Sequence, residues 1–195
     1  MQLVEAREPH WQWIAAELAA GAREGCFERE LADDTDAARL FFANLRNALR
    51  TGSFAIGHED GHFLGVPAGG YVYVDDGHPH EPLGFVLFKS VGSLGFELWL
   101  TAMTREWRGY GHGKAMIQAA LGTPAGRVAH LVRVNRESSS AHVMHALLCA
   151  CSYEVAREGA EVRWFLRRDA SEALRCAVCG GRTAQVVATS KFSPR

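Results

Sequence analysis

Residues 97–114 read ELWLTAMTREWRGYGHGK, and this stretch decides the fold. Its first part, Glu97 to Met103, is a β-like run, and its last part is a turn with glycines at positions 109, 111 and 113. A helical stretch, Lys114 to Leu121, follows directly. A strand that feeds a glycine-rich turn at a helix N-terminus leaves backbone N–H groups unpaired beside the positive end of the helix dipole. The stretch therefore predicts a phosphate-binding loop.

The spacing of the glycines excludes two common nucleotide motifs. A Walker loop requires Gly where the chain has Arg108, and Ser or Thr where it has Ala115. The dinucleotide-binding fingerprint is Gly-x-Gly-x-x-Gly. If it is counted from Gly109, its third glycine falls on Lys114, and if it is counted from Gly111, that glycine falls on Met116. The loop is therefore expected to bind a different phosphate ligand.

The surrounding pattern predicts an α/β fold. Two helical stretches come first, and Gly52 ends the second. From Ser53 the apolar residues recur every second position, which predicts an antiparallel meander of four strands. The four β-like runs are Ser53–His58, Gly70–Val74, Leu83–Lys89 and Phe96–Met103. From the last of these runs onward the pattern predicts a β-α-β-α-β-β ending. Residues 170–195 fall outside it.

The run from Arg108 to Gly113 matches Arg/Gln-x-x-Gly-x-Gly/Ala, and the chain resembles the GNAT superfamily of acyl-CoA-dependent N-acetyltransferases. The resemblance covers roughly residues 2 to 168 and implies the GNAT fold. That fold has a mixed central β-sheet, mostly an antiparallel meander with splayed strands at the CoA loop, flanked by about four helices. It divides the chain into an N-acetyltransferase domain at 1–169 and a C-terminal extension at 170–195.

The resemblance also implies acetyl-CoA as cosubstrate and direct transfer of its acetyl group to a primary amine in a ternary complex. It assigns the pantetheine arm to Thr101, Ala102 and Met103, with Asn135 nearby. It assigns the CoA pyrophosphate to the loop formed by Arg108, Gly109, Tyr110, Gly111, His112, Gly113 and Lys114.

Three side chains are candidates for catalysis. Glu97 lies in the apolar setting 96–100, which favours proton uptake, and some members of the resembled family have a general-base Glu at a similar place. The alternative is a charge paired with a neighbouring Lys or Arg. Leu148 stands where many members have an acidic Tyr, so His145, one turn earlier, is the candidate acid and Tyr153 a weaker one. The alternative for His145 is a structural histidine.

Two other functions are compatible with the same pattern. The missing Tyr favours a catalytically silent acyl-CoA-binding module used for sensing or assembly. A toxin-like acetyltransferase acting on aminoacyl-tRNA would need a local basic surface, for which Arg163, Arg167 and Arg168 are the candidates.

Composition narrows the choice of partners. The chain has 21 Lys and Arg against 22 Asp and Glu, so there is no general basic field and nucleic acid is not expected as a partner. No stretch is long and apolar enough for a membrane span, and the start lacks a signal peptide, which together predict a cytoplasmic protein. The acidic connection at 28–36 favours a cationic amine or peptide acceptor, although Asp33, Asp34 and Asp36 also suit a helix start.

Five cysteines are an odd number and favour a reducing compartment. The pair Cys176 and Cys179, followed by two glycines, has the spacing of a zinc knuckle but supplies only two ligands. Cys149 and Cys151 could complete a structural zinc site, as could a second subunit in a homodimer. The alternative is a tail hairpin without metal.

Overall fold

The computed structural model describes residues 1–57 and 62–179, which form a mixed eight-stranded sheet with helices on both faces. The strands are β1 Gln2–Glu5, β2 Ser53–Gly57, β3 Phe63–Asp75, β4 His78–Ser90, β5 Phe96–Met103, β6 Ala129–Asn135, β7 Tyr153–Glu158 and β8 Val162–Arg167. The helices are α1 Trp11–Arg23, α2 Asp36–Thr51, α3 His112–Leu121, α4 Pro124–Arg127, α5 Ala141–Ala150 and α6 Glu172–Cys179. The prediction of a mixed α/β sheet is confirmed.

The sheet order is β1-β3-β4-β5-β6-β8-β7, with β2 paired to the first part of β3. All neighbouring strands are antiparallel except β5 and β6, which are parallel. The predicted meander is therefore confirmed, and the single parallel pair lies at its end. Because parallel strands need a crossover connection, the loop and helices between β5 and β6 must cross one face of the sheet.

Each face of the sheet carries its own apolar core. On one face α3 and α5 pack against buried side chains of β4, β5, β6 and β8, with Ile117 and Leu148 at the centre. On the other face α1 and α2 cover β3, β4 and β5, where Ile14 and Leu45 are buried. Further along that second face, α6 covers Leu131 of β6 through Val178.

Strands β3 and β4 are longer than their predicted runs, each spanning 13 residues. The glycines and prolines in these stretches predict loops. In the structure they lie within the paired strands instead. At Gly70 an added Cβ would lie 2.1 Å from the carbonyl oxygen of Val86 on β4. That glycine therefore permits a close approach of two backbones rather than ending a strand.

The described residues form six helices, two more than the expected four or so. The one-turn helix α4 begins at Pro124, and the side chain of Thr123 caps it by accepting a hydrogen bond from the backbone N–H of Gly126. The other addition is α6, in the predicted extension. Among the helices of the described ranges, none combines the length and apolarity that a membrane span requires.

The extension is tied to the sheet by polar contacts as well as by Val178. Arg175 forms an ion pair with Glu154 of β7 and donates to the carbonyl oxygen of Arg168 at 2.6 Å. The predicted hairpin at the CxxC pair is wrong for its described part, because Cys176 and Cys179 lie in the helix. The glycines that follow, at 180 and 181, lie outside the described residues.

Ser152 is the one non-glycine residue with positive φ, at +66°, among those the structure describes. It follows α5 at the position where a helix commonly ends in a left-handed glycine. Replacing Ser152 by Gly removes the steric cost of this conformation and is expected to raise the free energy of unfolding by about 1 kcal/mol. Urea denaturation measures the change.

Ser90→Gly, at the end of β4, is the matched control because its φ is not positive, and it should lower stability. Equal effects of the two substitutions would contradict the role assigned to the backbone of Ser152.

Candidate active site

Strands β5 and β6 pair over only part of their length and then diverge. Their last paired residues are Leu98 and Val132. Beyond them, residues 101–103 remain paired to β4 on one side, while the side towards β6 has no strand partner. Trp99 is an extra residue in the register between β4 and β5, and a bulge of this kind bends a strand. We call the opening between the diverging strands the fork.

The predicted phosphate loop stands where β5 ends. A 3-10 turn at Arg105–Trp107 leads to Gly109 and Gly111, whose φ angles of +87° and +84° favour glycine. Helix α3 then begins at His112. The backbone N–H groups of residues 109–113 donate to none of the described residues, so the loop presents a group of free donors at a helix N-terminus.

Arg108 braces this loop instead of extending freely from it. Its Nε donates to the carbonyl oxygen of Met103 at 2.9 Å, and its Nη1 donates to the carboxylate of Glu24 at 2.5 Å. The hydrogen bond from Arg108 lowers the pKa of Glu24. Lys114, the other predicted cation, is exposed at the start of α3. The two cations predicted beside the phosphate therefore differ, since only Lys114 is left without an ion pair among the described residues.

The residues that follow α1 contact the residues that follow β6, on the other side of the fork from β5. We call these residues, 24–26, the strap. The backbone N–H of Ser139 donates to the carbonyl oxygen of Gly25 at 2.9 Å, and its hydroxyl donates to that of Glu24 at 2.8 Å. The hydroxyl of Ser138 donates to the carbonyl oxygen of Cys26 at 3.0 Å. Both serines follow β6, so the strap joins α1 to the β6 side of the fork.

Asn135 ends β6 on this same arm. Its side-chain oxygen accepts a hydrogen bond from the backbone N–H of Glu137 at 2.9 Å, which shapes the turn towards α5. The structure therefore places Asn135 at the fork opposite residues 101–103, and its contact with pantetheine stays a prediction.

Glu97 is buried beside the narrow end of the fork and is fully engaged with two cations. Arg133 of β6 donates to both carboxylate oxygens, each at 2.7 Å, and Nζ of Lys89 lies 3.3 Å from one of them. The side chains of Glu97 and Lys89 are 1% and 2% exposed. The structure therefore shows the alternative, in which Glu97 is paired with neighbouring cations. The pairing lies in the protein interior and not at an edge of the sheet. The general-base role of Glu97 stays a prediction that these contacts oppose.

His145 lies away from Glu97. Its ring contacts Phe165 edge-on, and its Nδ1 is 2.8 Å from the guanidinium of Arg163. Both neighbours belong to β8, and α5 packs on the face of the sheet opposite Glu97. The predicted base and acid are thus on opposite faces, and the acid role of His145 stays a prediction without support from its position.

Tyr153 is fully buried and donates to the carbonyl oxygen of Ala129 at 2.8 Å. Burial strongly raises the pKa of its hydroxyl. Its role as the weaker candidate acid stays a prediction that this burial and the hydrogen bond to a backbone acceptor oppose.

The charged clusters predicted as ligand surfaces contain internal ion pairs. Asp34 and Asp36 both bind Arg39, and Thr35 caps α2. The three arginines considered for a tRNA surface each have a carboxylate partner: Arg163 with Glu158, Arg167 with Asp169, and Arg168 with Glu154. A cationic acceptor stays a prediction, and so does the aminoacyl-tRNA alternative, which this pairing opposes.

The predicted zinc site does not form within the described part of the chain, where no group of three or more His, Cys, Asp or Glu could hold a metal ion. Cys151 is buried in the core on the α3 and α5 face. Cys176 and Cys179 lie on α6, which covers the other face. The sheet therefore separates the two cysteine pairs that the sequence suggested as one site.

Solved structures with the same chain path include several acetyltransferases. The PaiA N-acetyltransferase from Thermoplasma acidophilum, in complex with coenzyme A, is 11% identical with a TM-score of 0.53, covering 85% of this chain and 97% of its own. An acetyltransferase from Thermus thermophilus is 16% identical with a TM-score of 0.52, covering 86% and 97%. The fold is the GNAT fold.

A third structure with the GNAT fold is a spermidine N-acetyltransferase SpeG chimera from Vibrio cholerae and hSSAT. It is 13% identical with a TM-score of 0.51, covering 86% of this chain and 95% of its own. No protein-family model matches the sequence, and neither does any curated protein sequence. At these identities the likeness establishes the fold, and the chemistry must be argued from this chain's own residues.

Within the GNAT fold, sequence reasoning found the loop and the fork but missed Lys89, Arg133 and the strap. Lys89 and Arg133 each interrupt an apolar β-run at a position that faces the core, which is a signal for a buried ion pair. Nothing in the residues at 24–26 and 138–139 signals their pairing, since more than 110 positions separate them.

Replacing Glu97 by Gln is expected to lower the free energy of unfolding by about 3 kcal/mol, because the buried Lys89 and the mostly buried Arg133 lose the one carboxylate that they contact among the described residues. Urea denaturation at neutral pH measures the loss. Glu8→Gln is the matched control, since Glu8 pairs with Arg46 at the surface and its loss should cost less than about 1 kcal/mol. A loss at Glu97 no larger than that at Glu8 would contradict a buried structural role.

Proposed function

We propose that the protein transfers an acetyl group from acetyl-CoA to a primary amine acceptor, with both substrates bound at once. One observation carries this proposal: a strand with one open edge runs directly into a loop whose five consecutive N–H groups are free among the described residues. An elongated ligand with an amide-bearing arm and a diphosphate matches this combination.

The loop holds the diphosphate in this proposal. Residues 109–113 donate backbone hydrogen bonds, and the positive end of the α3 dipole adds to their attraction for an anion. Lys114 contributes a charge from the first turn of α3. The amides of the pantetheine arm then pair with the backbone of residues 101–103 as an added strand would, which directs the thioester towards the narrow end of the fork.

The transfer itself is a nucleophilic acyl substitution. The amine nitrogen bonds to the thioester carbonyl carbon, the carbon–sulfur bond breaks, and the proton lost from nitrogen reaches the CoA sulfur or solvent. Holding both reactants in the fork supplies the orientation that such a reaction needs. An amine must be neutral to attack, so Glu97 as base, acting through water, remains part of the proposal.

A catalytically silent acyl-CoA-binding module is the second candidate. It is favoured by a specific observation, because both oxygens of Glu97 are bound to Arg133 and Nδ1 of His145 contacts Arg163. Thiol release separates the two functions. Protein that binds acetyl-CoA but releases no thiol across amine and peptide panels, with no change on Glu97→Gln, acts as a binding module.

Replacing Gly113 by Asp tests the loop. Asp in the first turn of α3 is compatible with the helix dipole, but its charge repels a diphosphate. The dissociation constant for acetyl-CoA, measured by calorimetry, should rise about tenfold or more, which corresponds to roughly 1.4 kcal/mol. The affinity for S-acetyl-pantetheine, which lacks the diphosphate, should stay unchanged.

Gly113→Ala is the matched control, because an added Cβ there meets its nearest atom, in Leu147, at 3.9 Å. It should keep affinity for acetyl-CoA closer to that of the unaltered protein. An equal loss for both ligands with Gly113→Asp, or no heat with acetyl-CoA and the unaltered protein, would refute the assignment of the loop.

A further inference from the structure

Lys89, Glu97 and Arg133 place two cationic groups against a single carboxylate. We call these three side chains the triad. Nζ of Lys89 also lies 4.4 Å from the centre of the Trp99 ring, whose face attracts cations. Arg133 lies 5.5 Å from the Trp164 ring in the same way. The triad therefore carries more positive than negative charge, and a tryptophan ring lies next to each of its two cations.

The guanidinium of Arg133 has two edges that can each hold a carboxylate with two hydrogen bonds. Glu97 occupies the edge formed by Nε and Nη2. The other edge includes Nη1, which donates to none of the described residues and is not among their buried unpaired atoms. The Arg133 side chain is 20% exposed, whereas its two partners are almost completely buried. One cationic edge thus remains accessible.

This edge lies next to the point where the fork opens. Arg133 directly follows Val132, the last residue of β6 that pairs with β5. Alternation along β6 places Arg133 on the face that carries α1, α2 and α6, since Leu131 packs with α6 and Val132 with the opposite core. The loop leads into α3 on that opposite face. An acceptor that meets a thioester in the fork therefore has the face of Arg133 as its approach.

We propose that the open edge of Arg133 binds a carboxylate of the acceptor, so that the preferred acceptors carry a carboxylate as well as a primary amine, as amino acids do. This inference rests on the proposed acetyl transfer. Glu97 fixes the orientation of the guanidinium, and Lys89 offsets the negative charge of Glu97, so that an incoming anion meets a net attraction. Trp99 lies against Lys89 and Trp164 against Arg133, so one aromatic ring borders each cation.

L-lysine and L-lysinamide form a matched pair of probes, because they share the side chain and both amines and carry a carboxylate and a carboxamide, respectively, at the same position. With saturating acetyl-CoA, thiol release by the full chain should show a kcat/KM at least tenfold higher for lysine. Arg133→Met should reduce this ratio to about one, chiefly through KM for lysine. Arg133→Lys keeps a charge without the two-pronged edge and should retain a ratio between these values.

Arg46→Met is the control variant, since Arg46 also pairs with a glutamate, Glu8, and lies over a tryptophan, Trp11, at 5.8 Å. It should leave the lysine preference unchanged. Melting temperature and acetyl-CoA affinity verify that each variant is folded. Equal use of lysine and lysinamide by the unaltered protein, or an equal loss for both probes in Arg133→Lys, overturns the inference.

A readout without turnover separates this inference from the proposed function. Calorimetry with the CoA-bound protein should show binding of Nε-acetyl-lysine and at least tenfold weaker binding of its amide. If no amine yields thiol but this preference is present, acetyl transfer fails and the carboxylate site stands. If neither compound binds, the carboxylate site is refuted whatever the activity.

Discussion

The end of the hydrogen-bonded ladder between β5 and β6 is the constraint on which the rest of the site depends. Past Leu98 and Val132 the two strands continue without each other, so backbone donors and acceptors in the middle of a sheet are left without a strand partner. Unpaired polar groups in such a place cost free energy unless water or a ligand meets them. In a sheet that opens in this way, water or a polar ligand must therefore meet the unpaired backbone groups.

Charge pairing offsets part of that cost at the narrow end. The bridge from Arg133 to Glu97 joins the two strands close to their last paired residues, and Lys89 connects the same carboxylate to β4. Removing one member of a buried ionic cluster is costly because the remaining charges lose their partners, so such clusters hold geometry more than they add stability. The triad therefore links β4, β5 and β6 just before the fork opens, and the bulge at Trp99 bends β5 beside it.

The sequence predicted the fold well where local chemistry decides the structure. Glycine spacing at 109–113, the helix stop at Gly52 and the two-residue period of β5 all depend on neighbours in the chain. The sequence predicted the site poorly where contacts between residues far apart in the chain determine the structure. Glu97 looked available for proton transfer because its own segment is apolar, yet Arg133, 36 positions later, takes both of its oxygens. His145 could not be assigned to a face before the path of α5 was known.

The strap gives the protein a particular order of assembly. Its three residues come near the start of the chain, but their partners at 138–139 come after most of the sheet. Contacts of such long sequence separation close late, since the loop between them must first be ordered. During synthesis α1 and α2 can pack against the first strands of the sheet before the β6 side of the fork has formed. The strap can therefore meet its partners only after residues 138–139 have left the ribosome. A nascent chain paused at that point still lacks β8, so one edge of β6 is left without its strand partner.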